Sequence, residues 1–410
     1  MRERYLSPAV ADIAWAANKM AFVSGPRQCG KTTLAKLMLA RRTLGRYANW
    51  DDVEVRRTWV RSPKDLARFA DRPRETRPLL ALDEIHKAKG WKPTLKGIYD
   101  TLEQPCDLLV TGSARLAVYK KGGDSLVGRY FDFRLHPFSL GELERGKTVS
   151  PDGFLDDVFG GTTPRRVESH QETLATLLRF GGFPEPFLRQ SPRFARLWQR
   201  GRTEKIVRED LRDLSRIPEL SRVEMLTALL PERAAQPLSV QSLREDLEVA
   251  HDTVRRWLDY LSELYYLFEV KPYSKSVPRS LKREGKLYLW DWSEVVEPGP
   301  RFENLVAGHL LKAVHYWTDT GEGAFALHYL RNKQKQEVDF LVTRDRRPWL
   351  AVECKLADAS LHPGFEAFLP RIQCERFVQI VAGPTASRKV TVGGSLGLIL
   401  GAAQFLAACP

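Results

Sequence analysis

Cysteine is sparse in this 410-residue chain. Its five cysteines, Cys29, Cys106, Cys354, Cys374 and Cys409, are odd in number, far apart and never in a C-x-x-C pair. That spacing argues against a disulfide framework or a structural zinc site and fits a reducing, cytoplasmic setting. Long apolar runs are also missing. The chain opens Met1-Arg2-Glu3-Arg4 with no apolar segment after it, and the stretch from 392 to 408 is broken by glycine and polar residues. Neither an export signal nor a membrane span is therefore expected. Helical repeat periods and low-complexity tracts are absent to inspection, which leaves an ordinary globular composition of 43% hydrophobic and 28% charged residues. A chain of this length is expected to divide into several domains. Acidic residues are outnumbered 51 to 64 by lysine and arginine, a net charge of +13. That surplus favours acidic partners, nucleic acid first among them, but by itself it fits a scattered basic surface equally well.

What is present begins with Gly25-Pro26-Arg27-Gln28-Cys29-Gly30-Lys31-Thr32, which satisfies G-x-x-x-x-G-K-[ST] at every fixed position. The apolar run from Met20 to Ser24 reads as a buried strand before it, and residues 33–40 have helical spacing with no breaker. In a strand, loop and helix of this kind the backbone N–H groups, through Thr33, cradle the phosphates of ATP at the positive end of the helix. Lys31 is expected to contact the β and γ phosphates, and Thr32 to ligate Mg²⁺.

Leu79-Leu80-Ala81-Leu82-Asp83-Glu84 is an apolar strand ending in two carboxylates, the Walker B form. Asp83 is expected to act on Mg²⁺ and Glu84 to orient and polarise the attacking water. Residues 108–113 read as a further buried strand, ending in Thr111-Gly112-Ser113.

The succession of the P-loop, Asp83-Glu84-Ile85-His86, Thr111-Gly112-Ser113 and Ser125-Leu126-Val127-Gly128-Arg129 resembles an AAA+ family of bacterial and archaeal ATPases. Members carry a C-terminal domain of unknown function related to PD-(D/E)XK nucleases. Asn49-Trp50-Asp51-Asp52, Pro137-Phe138-Ser139 and Gly181-Gly182-Phe183-Pro184-Glu185 also resemble the family pattern, so the likeness runs along most of the chain. It implies Ser113 or Thr111 at the sensor position near the γ-phosphate. It also implies Arg129 as an arginine finger completing a neighbouring subunit's site, and hence a homo-oligomer, ring or partial ring.

Residues 166–215 have a helical pattern, with Phe183, Phe187 and Trp198 as apolar anchors, and resemble the lid and linker that follow an AAA+ core. Residues 239–247 and 250–258 read as helix, turn and second helix, with Asp252 as the N-cap. A strand at 267–270, a basic loop at 275–286 and a strand at 287–290 complete a winged helix-turn-helix pattern. Arg255, Arg256, Lys275, Arg279, Lys282 and Arg283 are its candidate DNA contacts. The competing reading is a packing or protein-contact module in which Trp257 is core.

In the last segment, residues 337–342 and 350–355 read as two strands joined by a basic turn at 344–348. Alternation puts Glu337 with Asp339 on one face and Glu353 with Lys355 on one face, opposite Val338, Phe340, Val352 and Cys354. Asp339 with Glu353-x-Lys355 resembles the D…(D/E)-x-K core of PD-(D/E)XK nucleases, with Val338 in place of the proline. The resemblance implies Glu303, Asp339 and Glu353 as ligands of Mg²⁺ or Mn²⁺, and Lys355 beside the nucleophile.

The chain thus reads as a multidomain α/β protein. The expected parts are a P-loop AAA+ core at 1–165, a helical lid and linker at 166–215, a winged helix-turn-helix at 216–295 and a restriction-endonuclease-like α/β domain at 296–410. The expected function is ATP hydrolysis coupled to DNA, with a metal-dependent nuclease at the C-terminal end. The alternatives are a nucleotide-gated oligomeric scaffold or a DNA-remodelling motor whose C-terminal domain binds without cutting.

Overall fold

The computed structural model describes residues 3–69, 77–112, 126–146, 148–160, 167–212, 219–274 and 284–410. The chain forms two compact units, Met1–Pro137 and Phe138–Pro410. No helix among the described residues is long and apolar enough to cross a membrane.

The first unit is built on a five-stranded parallel sheet of order β2-β3-β4-β1-β5. Its strands are β1 (Met20–Ser24), β2 (Gly45–Asn49), β3 (Leu79–Asp83), β4 (Asp107–Gly112) and β5 (Tyr130–Arg134). Strands β1, β3 and β4 are buried at every position. Their continuous apolar text, without alternation, suits strands covered on both faces. The register pairs Asn49 with Asp83 and Asp83 with Thr111 across neighbouring strands, while Ser24 lies beside Gly112. The carboxyl ends of four strands therefore share one edge, the position at which parallel α/β sheets bind ligands.

In the second unit, Ser139 caps the helix Leu140–Arg145, which the domain expectation places in 1–165. Within this unit the buried Lys312 Nζ reaches Glu142 Oε2 at 2.5 Å and Ser139 Oγ at 2.8 Å. His309 Nε2 accepts the Leu140 N–H at 3.0 Å, and its Nδ1 meets the Leu305 carbonyl at 2.8 Å. Those two partners fix a neutral tautomer with the proton on Nδ1. Helices Val167–Phe180, Pro184–Arg189 and Pro192–Lys205 follow, and the expected anchors Phe183, Phe187 and Trp198 are buried.

Helices Val240–Leu247 and His251–Glu263 form the expected pair, and Trp257 is fully buried with Val254, Leu258 and Leu261. The N-cap of the second helix is Ala250 rather than Asp252. Asp252 is the second residue of the helix, in the first turn, where a carboxylate is favoured by the positive helix end.

Strands β6 (Leu267–Pro272) and β7 (Lys286–Leu289) pair antiparallel. They continue a larger sheet of order β12-β13-β11-β10-β9-β8-β6-β7. Its other strands are β8 (Phe325–Arg331), β9 (Glu337–Arg344), β10 (Arg347–Lys355), β11 (Arg376–Val381), β12 (Arg388–Val392) and β13 (Ser395–Gly401). Two parallel residue pairs, Lys271 with His328 and Pro272 with Tyr329, join β6 to β8. Helix Pro298–Asp319 carries Glu303. Helix Gly364–Ile372 lies between β10 and β11 in the chain. A core of Val338, Leu341, Ala351, Phe365, Leu369 and Phe377, among others, holds these strands and that helix together.

Candidate functional site

The P-loop leaves β1 through two left-handed residues, Gln28 at φ 62° and Gly30 at φ 99°. Gly30 is the N-cap of helix Lys31–Leu39 and makes no side-chain cap bond, so the first-turn N–H groups face the loop. Gly25 cannot be replaced without a shift, because a Cβ there would lie 2.3 Å from the Leu135 carbonyl oxygen. Cys29 is buried at the centre of the loop. Lys31 is 7% exposed, and its ammonium is held by the carbonyls of Gly25 at 2.9 Å and Pro26 at 2.6 Å. The cation is thus fixed against the loop itself.

Three hydroxyls converge on Asp83. Thr32 Oγ1 at 2.7 Å and Tyr47 Oη at 2.6 Å donate to Oδ2, and Thr111 Oγ1 donates to Oδ1 at 2.6 Å. Burial, then the bond to Asp83, raises the Tyr47 phenol, which stays a neutral donor. Glu84 sits at φ 58° with its N–H on the Thr111 carbonyl at 2.9 Å. Burial raises the Glu84 carboxyl, opposed by the charges of Lys31 and Lys87. His86 Nε2 lies 3.6 Å from it and Lys87 Nζ 3.7 Å.

The pair of Thr32 and Asp83, beside the backbone N–H groups of the loop and a fixed ammonium, fits Mg²⁺ and a polyphosphate. Thr32 and Asp83 would hold the ion, and residues 25–33 the phosphates. Bound there, Mg²⁺ would neutralise phosphate charge. Glu84, the expected water-polarising carboxylate, follows Asp83 at the same strand end.

Of the two residues expected near the γ-phosphate, Thr111 lies at this edge and Ser113 falls outside the described residues. Arg129 precedes β5 and grips Asp100 with two bonds, Nε to Oδ1 at 2.7 Å and Nη2 to Oδ2 at 2.9 Å. Tyr47 was not legible as a site residue, because a tyrosine in the half-exposed strand GRYAN belongs to no motif.

The structure also sets Asp339 beside Glu353 and gathers it with Glu303 and Glu337, but around a residue that the sequence placed elsewhere. Lys286, read as the end of an exposed basic loop, opens β7 and is 2% exposed. Its ammonium lies 2.9 Å from Glu303 Oε1, 2.5 Å from Glu337 Oε1 and 3.2 Å from Asp339 Oδ1. A buried lysine is tolerated only where charge compensates it, and three carboxylates do so here. Burial alone would lower its pKa, but those carboxylates reverse the sign and raise it.

Tyr288 Oη donates to Glu303 Oε1 at 2.7 Å, and Arg331 takes Glu337 Oε2 at 3.0 Å. Asp339 Oδ2 accepts the Cys354 N–H at 3.0 Å, while Glu353 Oε2 accepts the Asp339 N–H at 3.1 Å. Glu353 Oε1 pairs with Lys355 Nζ at 2.9 Å and lies 3.3 Å from His362 Nδ1. Burial, then Asp339, pushes Glu353 up to about 8, and the same two causes push Glu303 up to about 7. Among the described residues no group of three or more His, Cys, Asp or Glu is arranged to hold a metal ion. The carboxylates do not fit the expected Mg²⁺ or Mn²⁺, because the chain's own donors and cations already occupy every oxygen of Glu303, Glu337, Asp339 and Glu353 but Glu303 Oε2 among the described residues.

Of the expected DNA contacts, Arg256 is exposed on helix His251–Glu263, whereas Arg255 Nη1 is paired with Glu269 Oε1 at 3.1 Å. Lys275, Arg279, Lys282 and Arg283 lie outside the described residues.

Three segments match known families: residues 17–144 an "AAA domain", residues 171–294 a "Domain of unknown function (DUF8612)" and residues 298–390 a "Domain of unknown function (DUF4143)". An uncharacterized protein of Mycobacterium tuberculosis is 25% identical over 382 residues, spanning 88% of this chain and 76% of its own. One of Haemophilus influenzae is 21% identical over 347 residues, 78% of this chain and 79% of its own. Among solved structures, Thermotoga maritima RuvB (T158V) aligns at 17% identity and TM-score 0.30, covering 65% of this chain and 88% of that one. AMPPCP-bound DnaA from Aquifex aeolicus aligns at 14% identity and TM-score 0.31, covering 63% and 86%. At those scores the two structures add nothing to the family match. The strand order and P-loop geometry of the first unit agree with that match, which makes it an AAA-type P-loop ATPase domain.

Proposed function

We propose that this AAA-type ATPase acts on DNA, its nucleotide state governing how the protein engages the nucleic acid. The observation that carries the ATP half is the convergence of Thr32 and Thr111 on Asp83 beside Glu84. Lys31 would bind the β and γ phosphates, and Glu84 would take the proton of the attacking water as it adds to the γ-phosphorus and the bond to the β–γ bridging oxygen breaks, releasing ADP.

For DNA the support is the net charge of +13, together with the helix pair Val240–Leu247 and His251–Glu263 followed by β6 and β7. An isolated bridge between Pro237 and Lys286 supports a third strand position, as the winged-helix reading expects. Arg256 is the described cation best exposed on the second helix. Arg129 as a finger in trans, and the homo-oligomer it needs, belong to the same proposal. In that assembly Arg129 exchanges Asp100 for a neighbour's nucleotide.

The C-terminal segment supports a restriction-endonuclease-like reading through its order of elements: a helix, β8, β9, β10, a helix and β11, with β10 and β11 parallel. Cleavage is the second reading, favoured by the approach of Asp339, Glu353 and Lys355. The environment of Lys286 weighs against it, and we place binding without cutting first.

The test is phosphate release with and without duplex DNA across a salt series. Stimulation by DNA, with log affinity falling linearly in log salt, is the expected result. Turnover indifferent to DNA, with no salt-dependent binding, would leave an oligomeric scaffold. DNA cut in Mg²⁺ or Mn²⁺ by the wild type but not by Lys355→Ala would establish the nuclease instead.

A further inference from the structure

The ammonium at the centre of the C-terminal cluster stands where the nuclease likeness calls for a metal ion. A lysine ammonium has three hydrogens, and three carboxylates surround this one. Nothing is left on Lys286 for a further ligand. On the carboxylate side, Glu303 Oε2 alone among the eight oxygens of Glu303, Glu337, Asp339 and Glu353 lacks a donor or cation within contact among the described residues. A hard divalent ion needs several oxygens at about 2.0–2.2 Å in near-octahedral array. It could gather them here only by stripping hydrogen bonds from two backbone N–H groups and by lying within a few ångströms of a buried positive charge.

The geometry points to Lys286 as the resident cation of this site: its ammonium fills the place of a divalent metal, and the cluster binds neither Mg²⁺ nor Mn²⁺. Removing the ammonium while keeping the carboxylates turns the same pocket into a metal site, with Glu303, Glu337 and Asp339 as its ligands. The inference stands apart from the ATPase reading, since it concerns the nucleotide-free protein and a different sheet.

Mn²⁺ uptake by the nucleotide-free full chain, read from the electron paramagnetic resonance signal of the free ion, tests it. Wild type and Asp339→Asn are expected to give superimposable isotherms, with any weak uptake at the P-loop common to both. Lys286→Met is expected to take up one additional Mn²⁺ per chain, which Lys286→Met/Asp339→Asn loses. The melting temperature of Lys286→Met should also rise when EDTA is replaced by Mn²⁺, while that of the wild type stays level. Wild-type uptake that falls in Asp339→Asn overturns the inference, and this arm does not depend on Lys286→Met folding. A Lys286→Met protein that keeps its native circular dichroism and gains no Mn²⁺ overturns it equally.

Discussion

Asp83 and Asp339 are both aspartates on buried strands, and they differ in what holds them. Asp83 is held by three neutral hydroxyls, from Thr32, Tyr47 and Thr111. Asp339 is held by a buried ammonium and a backbone N–H. Neutral donors leave the negative charge of Asp83 available to a cation and can rotate to follow it. An ammonium neutralises the charge it binds and repels any second cation. Two acidic strand sites that look alike in sequence are therefore open to metal in one case and closed in the other, and the residue that decides is in neither motif.

The sharpest way to break the comparison is to remove the ammonium. Lys286→Met takes the shared cation from Glu303 and Asp339 and leaves Glu337 with Arg331 alone, and loss of one partner from a buried ionic cluster costs roughly 3–5 kcal/mol. Urea unfolding in EDTA measures it, and an unchanged midpoint would show that the cluster is not held by charge. At the other site, Glu84→Gln should lower ATP turnover roughly 100-fold or more while nucleotide binding persists. Phosphate release beside fluorescent-nucleotide titration separates the two effects.

A pH experiment sharpens the contrast from outside both sites. Burial, the largest cause, lowers the His309 pKa to about 4 from 6.5, with Lys312 adding to it. Below pH 6.5 the unfolded chain binds a proton that the folded chain refuses, so stability falls as pH drops from 6.5 towards 4. A shift of that size corresponds to roughly 3 kcal/mol. His309→Gln should flatten this part of the stability–pH curve, measured by denaturant midpoints at pH 7 and pH 5. The smallest effect is expected for Tyr47→Phe, which removes one of three hydroxyls from Asp83. A loss of about 1 kcal/mol would raise the Mg²⁺ concentration for half-maximal turnover roughly fivefold.

The nucleotide site was legible because its chemistry is local. Gly25 to Thr32 sit on one turn of chain, and Asp83-Glu84 announce themselves at the end of an apolar strand. The two strands bearing Asp339 and Glu353 were legible as well, through alternation and a basic turn. Lys286 was not, because a lysine after a run of basic residues reads as one more solvated cation. Only pairing across the sheet, which joins β7 to the carboxylate strands through β6 and β8, takes it inside. The cap of the second helix was misplaced by two residues, from Ala250 to Asp252, for a milder reason: Asp is a good cap and a good first-turn residue alike, and spacing alone does not separate the two roles.

The junction of β6 with β8 has a mechanical consequence. Among the described residues two residue pairs hold it, one of them formed by Pro272, which has no amide hydrogen to give, with the Tyr273 N–H to the Tyr329 carbonyl at 2.8 Å just beyond. An eight-stranded sheet with so thin a seam behaves as a six-stranded and a two-stranded sheet laid side by side. In native-state hydrogen exchange the β6–β7 ribbon, with the helix pair that precedes it, should open as a cooperative block of its own while β8 to β11 stay closed. Lys286 and Asp339, on opposite sides of that seam, are then its clasp.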